Sequence, residues 1–347
     1  MVKEIMRKNN FDILRLLCAI SVILSHSYAL LGLNDNELLL KLTDNIIWSD
    51  LGLCGFFTIS GYLIYKSLTT SKNILSYLGK RALRIFPGLL VCLILVVIAC
   101  FFVYEGDSSY WLQKDTYTFV LNNILLYPMQ WNIPGVFEQN VNQGVDGSLW
   151  TLAYEFSMYF ILILLLFIPG KKTKLSLVIA GVIGLLLKNT LFAGNFKKLH
   201  ICYLNFNLFF RFAQYFATGV LLQMLSCTSW TKHTRILTLE LCLIGFISFS
   251  FCPNLFKPLA MLCLSIVMIN VGEMSWKRMS NIMHKIGDLS YGTYIYAFPI
   301  SQILIVYFNS NISPTMLTIL TILLVLPIAY LSWRFIEKPA LSLKKYL

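Results

Sequence analysis

The sequence predicts an all-α, polytopic membrane protein that crosses the bilayer ten times and keeps both termini in the cytoplasm. Three observations carry that expectation. Of 347 residues, 57% are hydrophobic and 13% are charged, with a mean hydropathy of +0.71, against about 25% charged residues in a soluble domain. The apolar residues gather into runs close to the roughly 20 residues that cross about 30 Å of hydrocarbon. The basic residues are distributed between the intervening segments as the positive-inside rule requires. The same composition excludes a disordered chain, a nucleic-acid-binding domain with a charged face and a small disulfide-stapled module.

The runs, bounded by charges, prolines and polar clusters, fall at about 11–33, 51–69, 85–104, 148–168, 175–193, 204–225, 235–252, 256–272, 289–308 and 313–334. Residues 105–147 form the only long loop and are expected on the extracytoplasmic side, so residues 1–347 read as a single membrane-embedded domain. The first run follows basic residues, as a signal peptide would. It is too long for one and contains Arg15 and His26, so it reads as a retained span. The nine cysteines lie singly, without a C-x-x-C pair, and argue for neither a metal site nor a disulfide framework.

With the N-terminus inside, 19 of the 28 basic residues fall in cytoplasmic segments, among them Lys72, Lys80, Arg81, Arg84, Lys171, Lys232, Lys277, Arg278 and Lys345. The acids Asp35, Glu37, Asp44, Asp50, Glu105, Asp107, Asp115, Glu138 and Asp146 fall on the opposite side. Most of the net charge of +12 is therefore a topology signal. Lys197, Lys198 and His200 form an outer basic cluster against that rule, which reads as a solvated loop or as a contact for an anionic glycan or lipid.

Ionisable groups inside apolar spans are costly and mark function. Arg15 and His26 are eleven residues apart on one predicted helix. At about 100° per residue they share a face, separated by about 16 Å of rise. One stripe thus carries an anion-binding group near the cytoplasmic mouth and a proton-transfer group beyond the midplane. Glu155 follows Ser148-Leu149-Trp150-Thr151 at a comparable depth from the outer face, where its carboxylate is expected to orient His26. Arg81 and Arg84, three apart in Lys80-Arg81-Ala82-Leu83-Arg84-Ile85-Phe86-Pro87, suit a phosphate grip at the junction of the second and third spans. Gly52, Gly55, Ser60 and Gly61 let backbones approach closely.

In this order, Arg15 with His26, Gly55-Phe56-Phe57-Thr58-Ile59-Ser60-Gly61-Tyr62-Leu63, Arg81 through Pro87, Gly147-Ser148-Leu149-Trp150-Thr151-Leu152 with Glu155, Leu289-Ser290-Tyr291-Gly292-Thr293-Tyr294-Ile295-Tyr296 and Ser332-Trp333-Arg334-Phe335-Ile336-Glu337-Lys338-Pro339 resemble the acyltransferase-3 family. These motifs run from residue 11 to 340. The resemblance implies the family's ten-helix bundle in the inner membrane and transfer of an acyl group, acetyl by expectation, from cytoplasmic acyl-CoA to a hydroxyl of an extracytoplasmic glycan such as O-antigen, capsule or exopolysaccharide. It makes His26 the catalytic residue, with Arg15 and Glu155 as partners. Arg15, Lys80, Arg81 and Arg84 become the coenzyme A contacts, and Ser60, Trp150, Tyr291 and Tyr294 the substrate contacts. Acetyl-CoA is then a co-substrate, with no metal, and the bilayer, the glycan and acyl-CoA are the partners.

The chain departs from the family at Ala297, where many members carry His, and at Asp146 and Ala153, where Asn and Pro are commoner. The SGNH hydrolase-like domain appended in some members is not in this sequence. A glycan or solute exporter is the alternative reading, and it predicts repeated broken helices in two halves of the chain. No such internal symmetry is evident. Trp111, Tyr127, Trp131 and Pro134 in the long loop suit a sugar surface or an interfacial aromatic belt.

Overall fold

The computed structural model describes residues 9–106, 109–192, 199–201, 203–274 and 286–347. Lys197, Lys198, Lys277 and Arg278 lie outside these residues. Within them the chain is all-α apart from a two-residue antiparallel pair, β1 (His200–Ile201) with β2 (Leu204–Asn205).

Each apolar run becomes a helix. In chain order these are α1 (Phe11–Leu30), α3 (Trp48–Thr70), α4 (Ile74–Phe101), α6 (Trp150–Ile163, extended by a 3-10 turn to Phe167), α7 (Lys171–Leu191), α8 (Phe206–Met224), α9 (Lys232–Ser250), α10 (Lys257–Glu273), α11 (Ser290–Tyr307) and α12 (Pro314–Ser332). Short helices α2 (Leu38–Thr43), α5 (Lys114–Leu125) and α13 (Lys338–Ser342) complete the set. Among the described residues, eight of these helical stretches are long and apolar enough to cross a membrane, the last of them running on from α12 to Tyr346. Polar side chains cap several starts: Asn73 accepts from the Ser76 amide at 2.8 Å, and Asn205 from the Asn207 and Leu208 amides at 3.0 and 3.2 Å, relieving helix donors that lack a partner within the helix.

Two expectations change. α4 begins eleven residues before the predicted third span, so Arg81 and Arg84 lie within a helix rather than in a junction. Asn73 supplies the cap that the apolar pattern does not show, and Pro87 is accommodated inside the same helix. The long loop contains α5, which packs on α4 with Phe119 fully buried.

Small residues set the helix spacing. A Cβ on Gly61 of α3 would lie 2.0 Å from the Phe216 carbonyl oxygen of α8, and one on Gly219 of α8 would lie 2.1 Å from the Thr58 carbonyl oxygen of α3. The two glycines thus bring the two backbones together reciprocally, as helices do where lipid supplies no hydrophobic drive between them. On another face of α3, Gly52 and Gly55 meet Cys18 of α1. α1 and α3 run antiparallel, with the Ser49 amide donating to Ser25 Oγ at 2.8 Å. The outward faces of α4 and α9 carry Leu90, Ile94, Leu95 and Ile98, and Leu237, Leu241 and Ile244, a surface suited to acyl chains.

Arg211, which interrupts an apolar run, is accounted for by its partners. Asp50, 2% exposed at the start of α3, receives Lys257 Nζ at 2.6 Å and Arg211 Nη2 at 3.6 Å. A buried charge persists only when paired in this way.

Replacing Gly61 with Ala should force α3 and α8 apart and lower the thermal midpoint of the protein in detergent by several degrees. Gly184→Ala, whose added Cβ would meet nothing within 4 Å, should leave it unchanged or raise it slightly through helix propensity. Equal midpoints for the two variants would contradict this account of helix spacing.

Candidate active site

A cavity of about 750 Å³ opens at the end of the bundle where α1 starts. Exposed Lys66, Thr70 and Lys338 mark its open end, and Leu53, Phe56, Thr151 and Tyr294 its closed end. Along α3 it extends from Thr70 to Leu53, seventeen residues or about 25 Å of rise. Of the residues singled out from sequence, it brings together Arg15, Ser60, Arg81, Arg84, Glu155, Tyr291 and Tyr294.

The arginines are organised by two acids that sequence reasoning missed. Asp288, in the turn before α11, takes Arg84 in a short ion pair and Arg15 at 3.5 Å on the same oxygen, Oδ2. Its other oxygen accepts from the Ser290 amide and hydroxyl at 3.2 and 2.5 Å. Burial pushes this carboxyl up, but Arg84, Arg15 and the two Ser290 bonds outweigh it and hold the group at about 2. Gly287 delivers the turn: its φ of +99° lies in the glycine region, and a Cβ there would collide with Trp333 Nε1. Glu337, 2% exposed, lies 3.8 Å from Arg84 Nη1 and is also bonded by Ser332 Oγ at 3.2 Å. A π-helical turn over Trp333–Glu337 follows α12 and ends at this residue. Both acids adjoin quoted motifs, Asp288 just before Leu289-Ser290-Tyr291 and Glu337 within the last. Their rarity in so apolar a chain was the available signal.

Arg81 is different. Its Nη2 donates to Ser67 Oγ at 3.2 Å, its buried Nε has no partner, and no carboxylate pairs with it among the described residues. Of the three arginines lining the cavity, it is the one without a carboxylate partner among the described residues.

Deeper in the cavity, Glu155 Oε1 accepts from Ser60 Oγ and Tyr159 OH, both at 2.6 Å. The expected pairing of Glu155 with His26 is not formed. The two are held apart because α6 turns Glu155 toward α3, while His26 lies farther along α1. His26 meets Phe298 edge-on, with ring centroids 5.2 Å apart, and Phe298 fills the space beside Gly147. Phe298 is one turn past Tyr294 on α11, so His26 lies beyond the closed end and does not line the cavity.

Tyr294 OH is bonded to Thr151 Oγ1 at 2.7 Å and Tyr291 OH donates to the Ile85 carbonyl at 2.8 Å. Lys80 Nζ donates to Ser71 Oγ at 3.0 Å, and Trp150 packs against Tyr154 and Phe212. Neither Lys80 nor Trp150 lines the cavity.

Asp146, 4% exposed, precedes α6. Its Oδ1 accepts from the Ser148 amide and hydroxyl at 2.9 and 2.6 Å, while Oδ2 has no partner. Burial pushes this carboxyl up to about 7, against the pull of the two Ser148 bonds.

The helical bundle, with eight stretches long and apolar enough to cross a membrane among the described residues, defines a polytopic membrane protein with a cation-lined cavity. The acyltransferase-3 family model, described as an acyltransferase domain, matches residues 8–334, and the chain belongs to that family and is an acyltransferase. Among curated relatives, an O-acetyl transferase of Shigella phage Sf6 is 28% identical over 363 residues, covering 97% of each chain. Nodulation protein 10 of Rhizobium leguminosarum bv. viciae is 32% identical over 184 residues, about half of each chain. No solved structure matches. Membership of an acyltransferase family displaces the exporter alternative.

Asp288→Asn removes the shared partner of two arginines and should destabilise the protein by about 3 kcal/mol, read as a lower unfolding midpoint. Asp288 and Asp146 should act oppositely with pH. The Asp288 contribution is complete above about pH 4 and is lost as pH falls through about 2. The Asp146 contribution is complete below about pH 4 and is lost as pH rises through about 7. The midpoint of Asp146→Asn relative to wild type should therefore rise between pH 5 and pH 8. A pH-independent difference would contradict this burial.

Proposed function

We propose that the protein is an inner-membrane acyltransferase with ten spans and cytoplasmic termini, and that it carries an acyl group from cytoplasmic acyl-CoA to a glycan hydroxyl on the other face. The enzyme is an O-acetyltransferase, in keeping with its family and with the full-length phage relative. The observation that carries the donor assignment is the cavity: cations at its open end, a 25 Å path along α3 by helical rise, and at its depth Leu53, Phe56 and Phe57 beside polar groups already bonded to each other, Ser60 with Glu155 and Thr151 with Tyr294. Coenzyme A has that polarity, with phosphates at one end and a long neutral arm ending in the thioester.

In this reading Arg81, with Lys66 and Lys338 at the mouth, meets the phosphates. Arg84 and Arg15 are held by Asp288 and keep the mouth in shape. The neutral arm then passes Ser60 and Glu155, and the thioester reaches the His26 side through the closed end of the cavity. His26 accepts the proton of the acceptor hydroxyl as its oxygen attacks the thioester carbonyl. The carbon–sulfur bond breaks, and the departing thiolate takes a proton. General base catalysis of this kind contributes typically 10²–10⁴-fold. The acceptor approaches from the side of the long loop, where Trp111 and Trp131 are exposed at 39% and 48% and offer faces to sugar rings.

His26→Ala should abolish glycan-dependent thiol release from labelled acetyl-CoA in proteoliposomes while insertion stays intact. Retained transfer would remove His26 from the mechanism. Arg81→Ala should raise the KM for acetyl-CoA about 10- to 100-fold, the loss of one charge-assisted contact, with little change in the unfolding midpoint. Arg84→Ala should lower that midpoint. An unchanged KM in Arg81→Ala would assign the phosphates elsewhere.

A further inference from the structure

We infer that Trp131 and residues 140–145 form the acceptor seat, that Gln302 of α11 positions it, and that the seat takes a neutral sugar residue. The inference rests on the acceptor reading above and specifies where the acceptor lies and which sugars suit it.

One face of α11 orders the two halves of the site. Tyr294, Phe298 and Gln302 are spaced four residues apart and stack along that face at about 6 Å per step. Tyr294 lines the closed end of the donor cavity, Phe298 meets His26, and Gln302 holds residues 140–145. Those residues therefore lie on the far side of His26 from the donor, where a transferring acyl group needs its acceptor. His26 keeps part of its surface free, although α1 sets it about 180° away from exposed Leu17. Space is thus left beside it within the bundle.

Gln302 is fully buried and both atoms of its amide are bonded. Its Nε2 donates to the Asn142 and Gly144 carbonyls at 2.6 and 2.7 Å, and its Oε1 accepts from Asn140 Nδ2 at 2.9 Å. A buried amide is tolerated only with such partners. The segment in turn fixes Trp131. The Val145 amide donates to the Trp131 carbonyl at 2.8 Å, and a Cβ on Gly144 would lie 3.9 Å from the indole. The electron-rich face of that ring suits the C–H face of a sugar, and the exposed amides of Asn132, Asn142 and Gln143 suit its hydroxyls. Trp111 instead stacks on exposed Phe101 of α4, with centroids 5.5 Å apart.

Charge selects the sugar. Between Lys114 and Lys171 the sequence contains no basic residue, whereas Glu138 is exposed and its carbonyl accepts from Gln143 Nε2 at 3.2 Å. A carboxylate-bearing sugar would meet a like charge there and no cation from this segment, which disfavours it.

The test uses the full chain in proteoliposomes with acetyl-CoA and two acceptors of equal length, a neutral hexose oligosaccharide and a uronic acid oligosaccharide. Wild type should use the neutral acceptor with a kcat/KM at least about 10-fold higher. Trp131→Ala should raise the KM for that acceptor about 10-fold and leave the KM for acetyl-CoA unchanged, and Trp131→Tyr should recover most of the loss. Trp111→Ala should change neither constant. Gln302→Leu should also raise the acceptor KM alone, and adding Trp131→Ala to it should cost little more, because Gln302 acts through that ring. An unchanged acceptor KM in Trp131→Ala, or an equal rise in Trp111→Ala, would overturn the seat, whether or not the Gln302 variant folds. A rise in both constants in Gln302→Leu would overturn its positioning role, and preference for the uronic acid acceptor would overturn the neutral assignment. If wild type acetylates neither glycan, the acceptor reading itself fails, an outcome distinct from failure of the seat.

Discussion

The carboxylate of Asp288 holds the open end of the bundle together. It binds residues from two helices that are far apart in sequence, Arg15 of α1 and Arg84 of α4, and its own position is set by Gly287 and by the first residue of α11. Arg84 in turn reaches Glu337 after α12 and lies about 6 Å from the Tyr291 and Trp333 ring centres. Four elements are thereby tied by one ion network in a setting where an unpaired charge would cost several kcal/mol. The cavity exists because these side chains are spent on each other and line its wall instead of filling it.

Two of the cavity's arginines are neutralised internally and the third is not. If Arg15, Arg81 and Arg84 were all unpaired, the mouth would bear a repulsive cluster and the helices would spread. With Asp288 and Glu337 present, Arg15 and Arg84 are balanced, and Arg81 stands without a carboxylate partner among the described residues. A second ion network stands at the opposite end of α3, where Asp50 pairs with both Lys257 and Arg211. Between these ends the reciprocal glycines of α3 and α8 bring the backbones close enough to leave α3 with a continuous cavity-lining face.

Apart from the start of α4, the helices were readable from the apolar runs with errors of a few residues, because length and hydropathy are local properties. The start of α4 was not, since a side-chain cap at Asn73 and the polar first turns of a long helix leave no apolar signature. The clustering of Ser60, Arg15, Arg81, Arg84, Glu155, Tyr291 and Tyr294 in one cavity followed motifs that could be picked out one by one. Their partners did not: Glu155 was paired with His26 on depth alone, whereas the rotation of α6 turns its carboxylate to Ser60 and Tyr159.

The sequence by itself determined that this chain is a membrane protein of helices, which of its few ionisable residues lie within those helices, and that Arg15 and His26 lie on one of them. Composition and helical periodicity suffice for that, since both act within a single segment. The tertiary structure alone decided which arginine is paired and which is not, where the cavity ends, and that His26 lies one aromatic layer beyond it. Those outcomes depend on contacts between residues 204 and 273 positions apart. Such contacts are set by how the helices rotate and pack against each other, and no periodicity within one helix records that.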